Sequence, residues 1–521
     1  MSGIARRLSR VRAHRLAVAL ATRRVTRTVA RTHRPRAFHW LAGQLLPGTA
    51  VPLLLTAALL AAGALPARTA AQEPGGLELA SAVEQVLVDV IARCEPSVVS
   101  IARVRSDRFI DTANPLNPDF VPNEFATGVV VDSRGLILTN HHLLDEQSQY
   151  WVTTIGGQVY RVMRVKGADP RSDLAVLEVD ADDLVPMPLG DGGNVRKGQI
   201  VVALGNPYAI ARDGEASASW GIVANVARKL PPDVTGGDHP VRWQLQHFGT
   251  LIQTDARLNL GTSGGALINL KGEMIGLTTS MAAIAGYEQS AGYAVPVDET
   301  FRRIVETLKE GREVEYGLLG VELRNLSLDE LAGGLTGAQV VEVFPGTPAF
   351  QAGLARGDIV VQVGESTIRT ADDLMYQVGR LPAEALVQLR VVRDPHGRRT
   401  TLEPLVRLAK LQLRVPPIVT RKEPAWRGLR VDYITARWSN RDRFASALSV
   451  GGVVVTEVEP ESPAALSGLR EDMLVTHVAG QPVSTPREFR NAVAGKEGRE
   501  VELQFWSTAG SSMRPVVIPA D

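Results

Sequence analysis

The stretch 251–279, LIQTDARLNLGTSGGALINLKGEMIGLTT, carries the segment from which the rest of the chain can be read. At its centre Gly261-Thr262-Ser263-Gly264-Gly265 sets a serine among residues able to take unusual backbone dihedrals, so the N–H groups of Gly261 and Ser263 can both point at one oxygen. Nucleophilic catalysis by serine needs three things: a base in hydrogen-bond reach, a group that orients the base, and donors aimed at the developing oxyanion. Ser263 is therefore a candidate nucleophile. A glycine-flanked serine taken alone is more often a plain turn, and the weight falls on what surrounds it.

Working outward, His142 follows the apolar run Leu136–Leu138 in TNHHLL, where the end of a strand can hold an imidazole firmly. Asp173 opens the run LAVLEV, and a carboxylate entering an apolar strand needs a buried partner, which a histidine Nδ1–H supplies. The bland alternatives are a structural histidine and a solvated turn aspartate in ADPRSD. Between about 98 and 296, short β-branched runs alternate with Gly, Asp and Asn turns: SVVSIARV, GVVVDSRGLILT, DLAVLEV, QIVVALG, GIVANV, ALINLKGEMIGLTT and AGYAVPV. That spacing predicts a sandwich or barrel.

On either side of this β region stand helical patterns. Leu79, Val83, Val86, Leu87, Val90 and Ile91 recur at helical spacing before Pro96. Asp298 caps a second helix with Phe301, Ile304, Val305 and Leu308 on one face, and Gly311 ends it. The last 200 or so residues hold an internal repeat: Pro345, Pro348, Gly353 and Leu354 recur as Pro460, Pro463, Gly468 and Leu469. Between the copies, LQLRVPPIVTRKEPA at 411–425 reads as a proline-containing linker.

Composition agrees with a mainly β chain of several domains. At about 100 to 200 residues per domain, 521 residues predict three or four. With 45% hydrophobic and 22% charged residues, collagen-like, wholly disordered and multi-span membrane classes are excluded. The net charge of +1 hides an asymmetry, since the twelve arginines of residues 1–71 face no acidic residue there. The remainder is acidic and has no basic run of the kind a nucleic-acid partner needs. Residues 49–65, TAVPLLLTAALLAAGAL, form an uncharged run behind that basic flank and ahead of Thr69 and Ala71. They read as the core of an export signal cleaved after Ala71, with an uncleaved inner-membrane anchor as the rival and a twin-arginine route hinted at by Arg23-Arg24. One cysteine, Cys94, rules out an intramolecular disulfide and a cysteine-built metal site.

The runs ATGVVVDSRGLILTNHHLL, DLAVLEV, VVALGNPY, SWGIVANV, LIQTDARLNLGTSGGALINLKGEMIGLTT and GYAVPV together resemble the protease domain of the HtrA/Deg family of serine endopeptidases, and the repeat resembles that family's C-terminal PDZ domains. The resemblance implies a chymotrypsin-like double β-barrel followed by two small α+β PDZ domains. It implies a signal segment 1–71, a protease domain 77–310, PDZ domains 316–410 and 426–518, and the linker between them. By the same resemblance His142 is the general base, Asp173 orients it, Ser263 attacks the scissile carbonyl, and Gly261 and Ser263 form the oxyanion hole. His141 holds a position where the family usually shows Asn and reads as a neighbour of the base. Thr262, Ala266 and Leu260 depart from the family's usual residues in this loop.

Around the specificity pocket the candidates are Arg257, six residues before the nucleophile, and Thr278, Thr279 and Ser280 on the strand expected to pair with substrate. No cofactor and no metal is called for. In the first PDZ copy Leu318-Leu319-Gly320-Val321 matches the loop that receives a peptide's terminal carboxylate; in the second the corresponding reading is Gly428-Leu429-Arg430-Val431. Neither copy has a histidine at the start of its ligand-facing helix, around Ala371–Leu374 or Pro486–Phe489, so apolar C-termini are the expected ligands. The function expected is an exported, periplasmic or envelope endopeptidase that degrades unfolded or misfolded proteins in quality control and stress response, as a homotrimer or a multiple of it. The alternative is a PDZ-based binding or chaperone-like protein with dormant protease activity.

Overall fold

The computed structural model describes residues 76–105, 124–206, 214–229, 244–259, 261–279, 292–394, 398–440, 451–507 and 512–520. The export or anchor segment, Leu260 and Ser280 lie outside the described residues. Among those described, no helix is long and apolar enough to cross a membrane.

Strands β1 (Val98–Arg105), β2 (Glu124–Asp132), β3 (Leu136–Asn140), β4 (Ser148–Thr153), β5 (Val159–Asp169) and β6 (Leu174–Val179) pair antiparallel in the order β5-β4-β1-β2-β3-β6, and β5 pairing with β6 closes a barrel. A second closed barrel has the order β10-β11-β12-β9-β8-β7, from β7 (Ile200–Gly205), β8 (Ser217–Arg228), β9 (Leu251–Thr254), β10 (Ala266–Asn269), β11 (Met274–Thr279) and β12 (Gly292–Pro296). The two-residue period of a strand explains why these segments read as apolar throughout. On β3, Ile137 faces the first barrel's interior while Leu136 and Leu138 face the cluster between the barrels. On β7, Val201 and Ala203 point into the second barrel, and Val202 and Leu204 point back to that shared cluster. Both faces are buried, so the site between the barrels rests on rigid walls.

Helix α1 (Gly76–Cys94) extends beyond both ends of its apolar pattern Leu79–Ile91, and only its last turns pack: Val90 and Cys94 are buried, whereas Leu77, Leu79, Val83 and Val86 are exposed. Helix α2 (Glu299–Lys309) has Asp298 as its cap, the carboxylate accepting from the Phe301 N–H at 2.8 Å. Phe301, Ile304, Val305 and Leu308 are buried against the barrels. The chain then enters the first repeat unit, strands Val321–Asn325, Ala338–Val343, Ile359–Val363, Leu386–Arg393 and Thr400–Leu402 with helix α3 (Ala371–Gly379). The second unit repeats the order with Leu429–Tyr433, Val453–Val458, Leu474–Val478, Val501–Ser507 and Ser512–Ile518 and helix α4 (Pro486–Val493).

Residues 411–425 do more than span the gap between these units. Ile418 and Val419 add to the edge of β5 opposite Ala168 and Gly167, and the Gly311 carbonyl accepts from Thr420 and Arg421 at 3.0 and 2.8 Å. The first unit is also fastened to the barrels: Tyr316, fully buried, donates its hydroxyl to the Asp169 carboxylate, and the Arg171 guanidinium lies 5.1 Å from the centre of its ring. At the end of α3, a Cβ on Gly379 would stand 2.3 Å from Arg171 Nη2, so a larger residue there would displace the guanidinium.

Candidate active site

The Asp169–Asp173 turn joins β5 to β6 and is bonded along its length. Ser172 N–H donates to Asp169 Oδ2 at 2.8 Å, Leu245 N–H to the Arg171 carbonyl at 2.9 Å, and Gln246 Nε2 to the Ser172 carbonyl at 2.6 Å. Asp173 itself is fully buried with φ +58°, a left-handed conformation uncommon for a residue with a Cβ and tolerated where neighbours enforce it. Its carbonyl is held by the His141 N–H at 3.0 Å and Asn140 Nδ2 at 3.2 Å.

This clamp turns the carboxylate toward His142. Asp173 Oδ1 accepts from the His142 backbone N–H at 2.9 Å, and Oδ2 from the His142 ring Nδ1–H at 2.8 Å. With the proton on Nδ1, Nε2 is left as the basic nitrogen. His141 supplies a backbone bond beside the pair. Burial pushes its imidazole below the ordinary value, against the raising pull of Asp173 and Asp169.

Ser263 comes from the second barrel, in the loop ahead of β10, and is almost fully buried. The loop is pinned to the strands that carry His142. Thr127 on β2 donates its N–H to the Ser263 carbonyl at 2.9 Å and its hydroxyl to the Gly261 carbonyl at 2.7 Å. Gly264 has φ +82°, and a Cβ there would lie 2.1 Å from the Thr127 carbonyl and 2.4 Å from Thr139 Oγ1. Gly261 also has a positive φ, +94°, a region that costs glycine little. The motif's glycines are thus required by close approach and by dihedral alike.

Thr127, Thr139 and Asn206 form a support that sequence reasoning missed. Thr139 donates its hydroxyl to the Thr127 carbonyl at 2.8 Å, and the Thr127 hydroxyl accepts from Asn206 N–H at 2.9 Å. The signal available was a threonine set beside apolar residues in each of two strands.

The specificity candidates separate. Arg257 is exposed, and its carbonyl accepts from the Ser219 hydroxyl at 3.1 Å. Thr278 is not an open strand edge: its N–H donates to the Gly265 carbonyl at 2.8 Å, its carbonyl accepts from Gly264 at 2.9 Å, and its other side pairs with β12 opposite Ala294. Thr278 instead supports the Ser263 loop, its hydroxyl donating to the Thr262 carbonyl at 2.5 Å. Thr279 is buried opposite Tyr293.

In the first repeat unit Gly320 has φ +82°, and a Cβ on it would lie 2.2 Å from Thr347 Cβ. The Leu319 carbonyl accepts from Ala349 N–H at 2.9 Å and that of Gly320 from Phe344 at 3.1 Å. In the second unit the same two bonds are made by Arg427 to Ala464 at 3.2 Å and Gly428 to Glu459 at 2.8 Å, and a Cβ on Gly428 would meet Ser462 Cβ at 2.1 Å. Gly428, not Arg430, therefore stands where Gly320 stands. Arg430 lies two residues on, inside the strand opposite Glu457, with its guanidinium bound to Glu457 and Glu459 at 2.9 and 3.0 Å. Arg430 thus lies outside the turn that Gly428 makes.

The trypsin-like peptidase domain profile matches residues 126–277, and PDZ domain profiles match 317–403 and 454–507. A probable periplasmic DegP-like serine endoprotease of Pseudomonas fluorescens is 30% identical over 383 residues, covering 73% of this chain and 76% of the relative. The chain belongs to the HtrA/Deg family of serine endoproteases. A relative of the same description from Chlamydia trachomatis is 28% identical over 400 residues, 76% of this chain and 74% of its own. A solved HtrA-type protease, AlgW with a decapeptide, aligns at 25% identity over 65% of this chain and 99% of its own, with a TM-score of 0.47. As an HtrA-type enzyme the chain is a serine endopeptidase with a mainly β, double-barrel protease domain and two PDZ domains.

Proposed function

We propose that His142, Asp173 and Ser263 are the catalytic triad of an exported protease that degrades unfolded or misfolded proteins. The observation that carries this reading is the two-point hold of Asp173 on His142, at 2.9 and 2.8 Å, which fixes both ring orientation and tautomer. His142 Nε2 takes the Ser263 hydroxyl proton as Oγ attacks the scissile carbonyl, and Asp173 stabilises the resulting imidazolium. The backbone N–H groups of Gly261 and Ser263 receive the oxyanion. The imidazolium then protonates the leaving amine, and water, activated by the same nitrogen, releases the acyl group.

In this reading residues 1–71 are the signal segment, 77–310 the protease, 316–410 and 426–518 the PDZ domains, and 411–425 the connecting segment. The first PDZ domain captures hydrophobic C-termini in the groove that ends at Leu318–Val321, and the second serves mainly in assembly. The basic leader, and relatives described as periplasmic, support export to the periplasm. The exposed apolar face of α1 supports a homotrimer or a multiple of it.

The deciding experiment is casein turnover by the mature chain beside Ser263→Ala. The variant keeps its glycines and loses one hydroxyl, so it is expected to fold as before and to lose a factor of roughly 10³ to 10⁶ in rate. Unchanged turnover would remove Ser263 from the mechanism, and absence of turnover by the unaltered assembly would favour a holding protein instead.

A further inference from the structure

An extended peptide enters a PDZ domain as an added strand on the sheet edge, its terminal carboxylate held by backbone N–H groups at one end of the groove. In the second PDZ domain the edge strand is Leu429–Tyr433 and the facing wall is α4. The carboxylate end of this groove is closed by the chain itself. Leu429 N–H donates to the Trp426 carbonyl at 2.8 Å, and Trp426 N–H to the Leu429 carbonyl at 2.9 Å. Arg427, at the place of Leu319, is buried and donates to the carbonyls of Ile518, Lys496 and Arg499 at 3.1, 2.9 and 2.6 Å. The first domain lacks this closure, because Leu318 is drawn away into a bridge with Ala409.

At the other end of the groove both walls converge on one carboxylate from the first PDZ domain. Tyr433, the last residue of the edge strand, donates its hydroxyl to Glu384 Oε1 at 2.8 Å. Arg487, in the first turn of α4, meets Glu384 Oε2 at 2.5 Å. Glu384 has φ +61°, a left-handed conformation for a residue with a Cβ, and its side chain is only 12% exposed. Beside it, Asp432 is bound to Lys410 at 2.6 Å.

We propose that the second PDZ groove accepts an acidic side chain on an extended internal segment, not a free C-terminus, and that Glu384 is its occupant in cis. A phenol hydroxyl and a guanidinium directed at the same point suit a carboxylate, because charge-assisted donors hold it most strongly. A tethered occupant competes at high effective concentration, so an external segment gains access when Glu384 leaves. The inference rests on the PDZ fold and these contacts, independently of the catalytic assignment.

The test uses the full mature chain in a Ser263→Ala background, which keeps the probe intact. The probe is a labelled peptide copying residues 379–389, acetylated and amidated so that it has no free terminus, with a counterpart carrying Gln at the position of Glu384. Fluorescence anisotropy should show the Glu384→Ala chain binding the Glu probe at least about fivefold more tightly than the parent, as a lost internal competitor requires. The Gln probe should gain nothing, and adding Arg487→Ala should abolish the gain. Equal binding by parent and Glu384→Ala, equal binding of the two probes, or no binding at all would overturn the proposal. Hydrogen exchange supplies a second reading: Glu384→Ala and Tyr433→Phe should each raise amide exchange across 429–433 and 486–493 relative to 338–343. Unchanged exchange in both would overturn the cis contact.

Discussion

The first PDZ domain is joined to the protease through two rings packing against the core between the barrels, fully buried Tyr316 and half-buried Tyr376 on α3, while the second meets its neighbours through ion pairs and hydrogen bonds at Lys410, Glu384 and Arg487. The hydrophobic core of the second domain, among the described residues, draws only on residues between 426 and 518. Their carboxylate loops differ in the same direction: one ends at Gly320 with Leu318 held elsewhere, the other is bonded to itself from Trp426 to Leu429. The contrast teaches that duplication preserved a fold but not an attachment. A buried aromatic fixes the first copy to the turn that carries Asp173, whereas ion pairs and hydrogen bonds hold the second.

The largest expected effect probes the fixed attachment. Tyr316→Ala deletes a fully buried ring together with its bond to Asp169, and should cost on the order of 3 to 5 kcal/mol in urea unfolding. It should also lower kcat of casein cleavage, since the Asp169–Asp173 turn loses its support; a stability loss below about 1 kcal/mol would break the claim that this domain is held by buried groups.

The carboxylate loops come next. Gly320→Ala and Gly428→Ala each force a Cβ into Thr347 or Ser462 from a positive φ, and each should destabilise by roughly 1 to 3 kcal/mol. Only Gly320→Ala should abolish binding of a labelled hydrophobic C-terminal peptide to the full chain. Loss of that binding in Gly428→Ala instead would reverse the assignment of roles.

A smaller effect sharpens the register. Arg430→Ala removes a partly exposed guanidinium from Glu457 and Glu459, which is worth about 0 to 1 kcal/mol. C-terminal peptide affinity should stay within about twofold, because Arg430 sits in the strand and not in the loop; a larger change would restore it to the loop.

The smallest effect concerns pH. Burial pushes the Glu315 carboxyl up to about 7, with Asp432, Glu313 and Glu384 adding to the shift and Lys410 opposing it. A carboxylate raised in this way favours the docked arrangement below its ordinary value of 4.5, and that contribution fades as the pH rises through about 7. Corrected amide exchange across 429–433 should therefore increase modestly between pH 5 and 8, and Glu315→Gln should flatten the dependence. Glu315 is 38% exposed, so solvent screening keeps the change small. Slower exchange at the higher pH would show that the sign is wrong.

Much of the fold was legible because strands and caps leave local marks. Asp298 and the face Phe301, Ile304, Val305, Leu308 were readable from one helical period. The double barrel came from a resemblance carried by six runs, since short apolar strands alone are compatible with a sandwich as well. The apolar stripe of α1 was also readable, but its burial was not: Val90 and Cys94 are buried and Leu87 and Ile91 partly so, while Leu79, Val83 and Val86 stay exposed, a fact about neighbours far along the chain. In the candidate site, Ser263, His142 and Asp173 announced themselves by residue type and setting, while Thr127, which ties the Ser263 loop to the other barrel, is an ordinary threonine until its partners are in place.

The sequence by itself determined the family, the residues proposed for catalysis, the repeat and the charged leader, because each is a matter of which side chains occur at which spacing. Tertiary structure alone decided that the Thr278 backbone is bonded to Gly264 and Gly265, that Gly428 and not Arg430 matches Gly320, and that Glu384 meets Tyr433 and Arg487 of the neighbouring domain. The physical reason is the same in all three. A backbone N–H or carbonyl makes its bonds with whatever the fold brings beside it, and a shift of two residues, or a contact from another domain, leaves no trace in local composition.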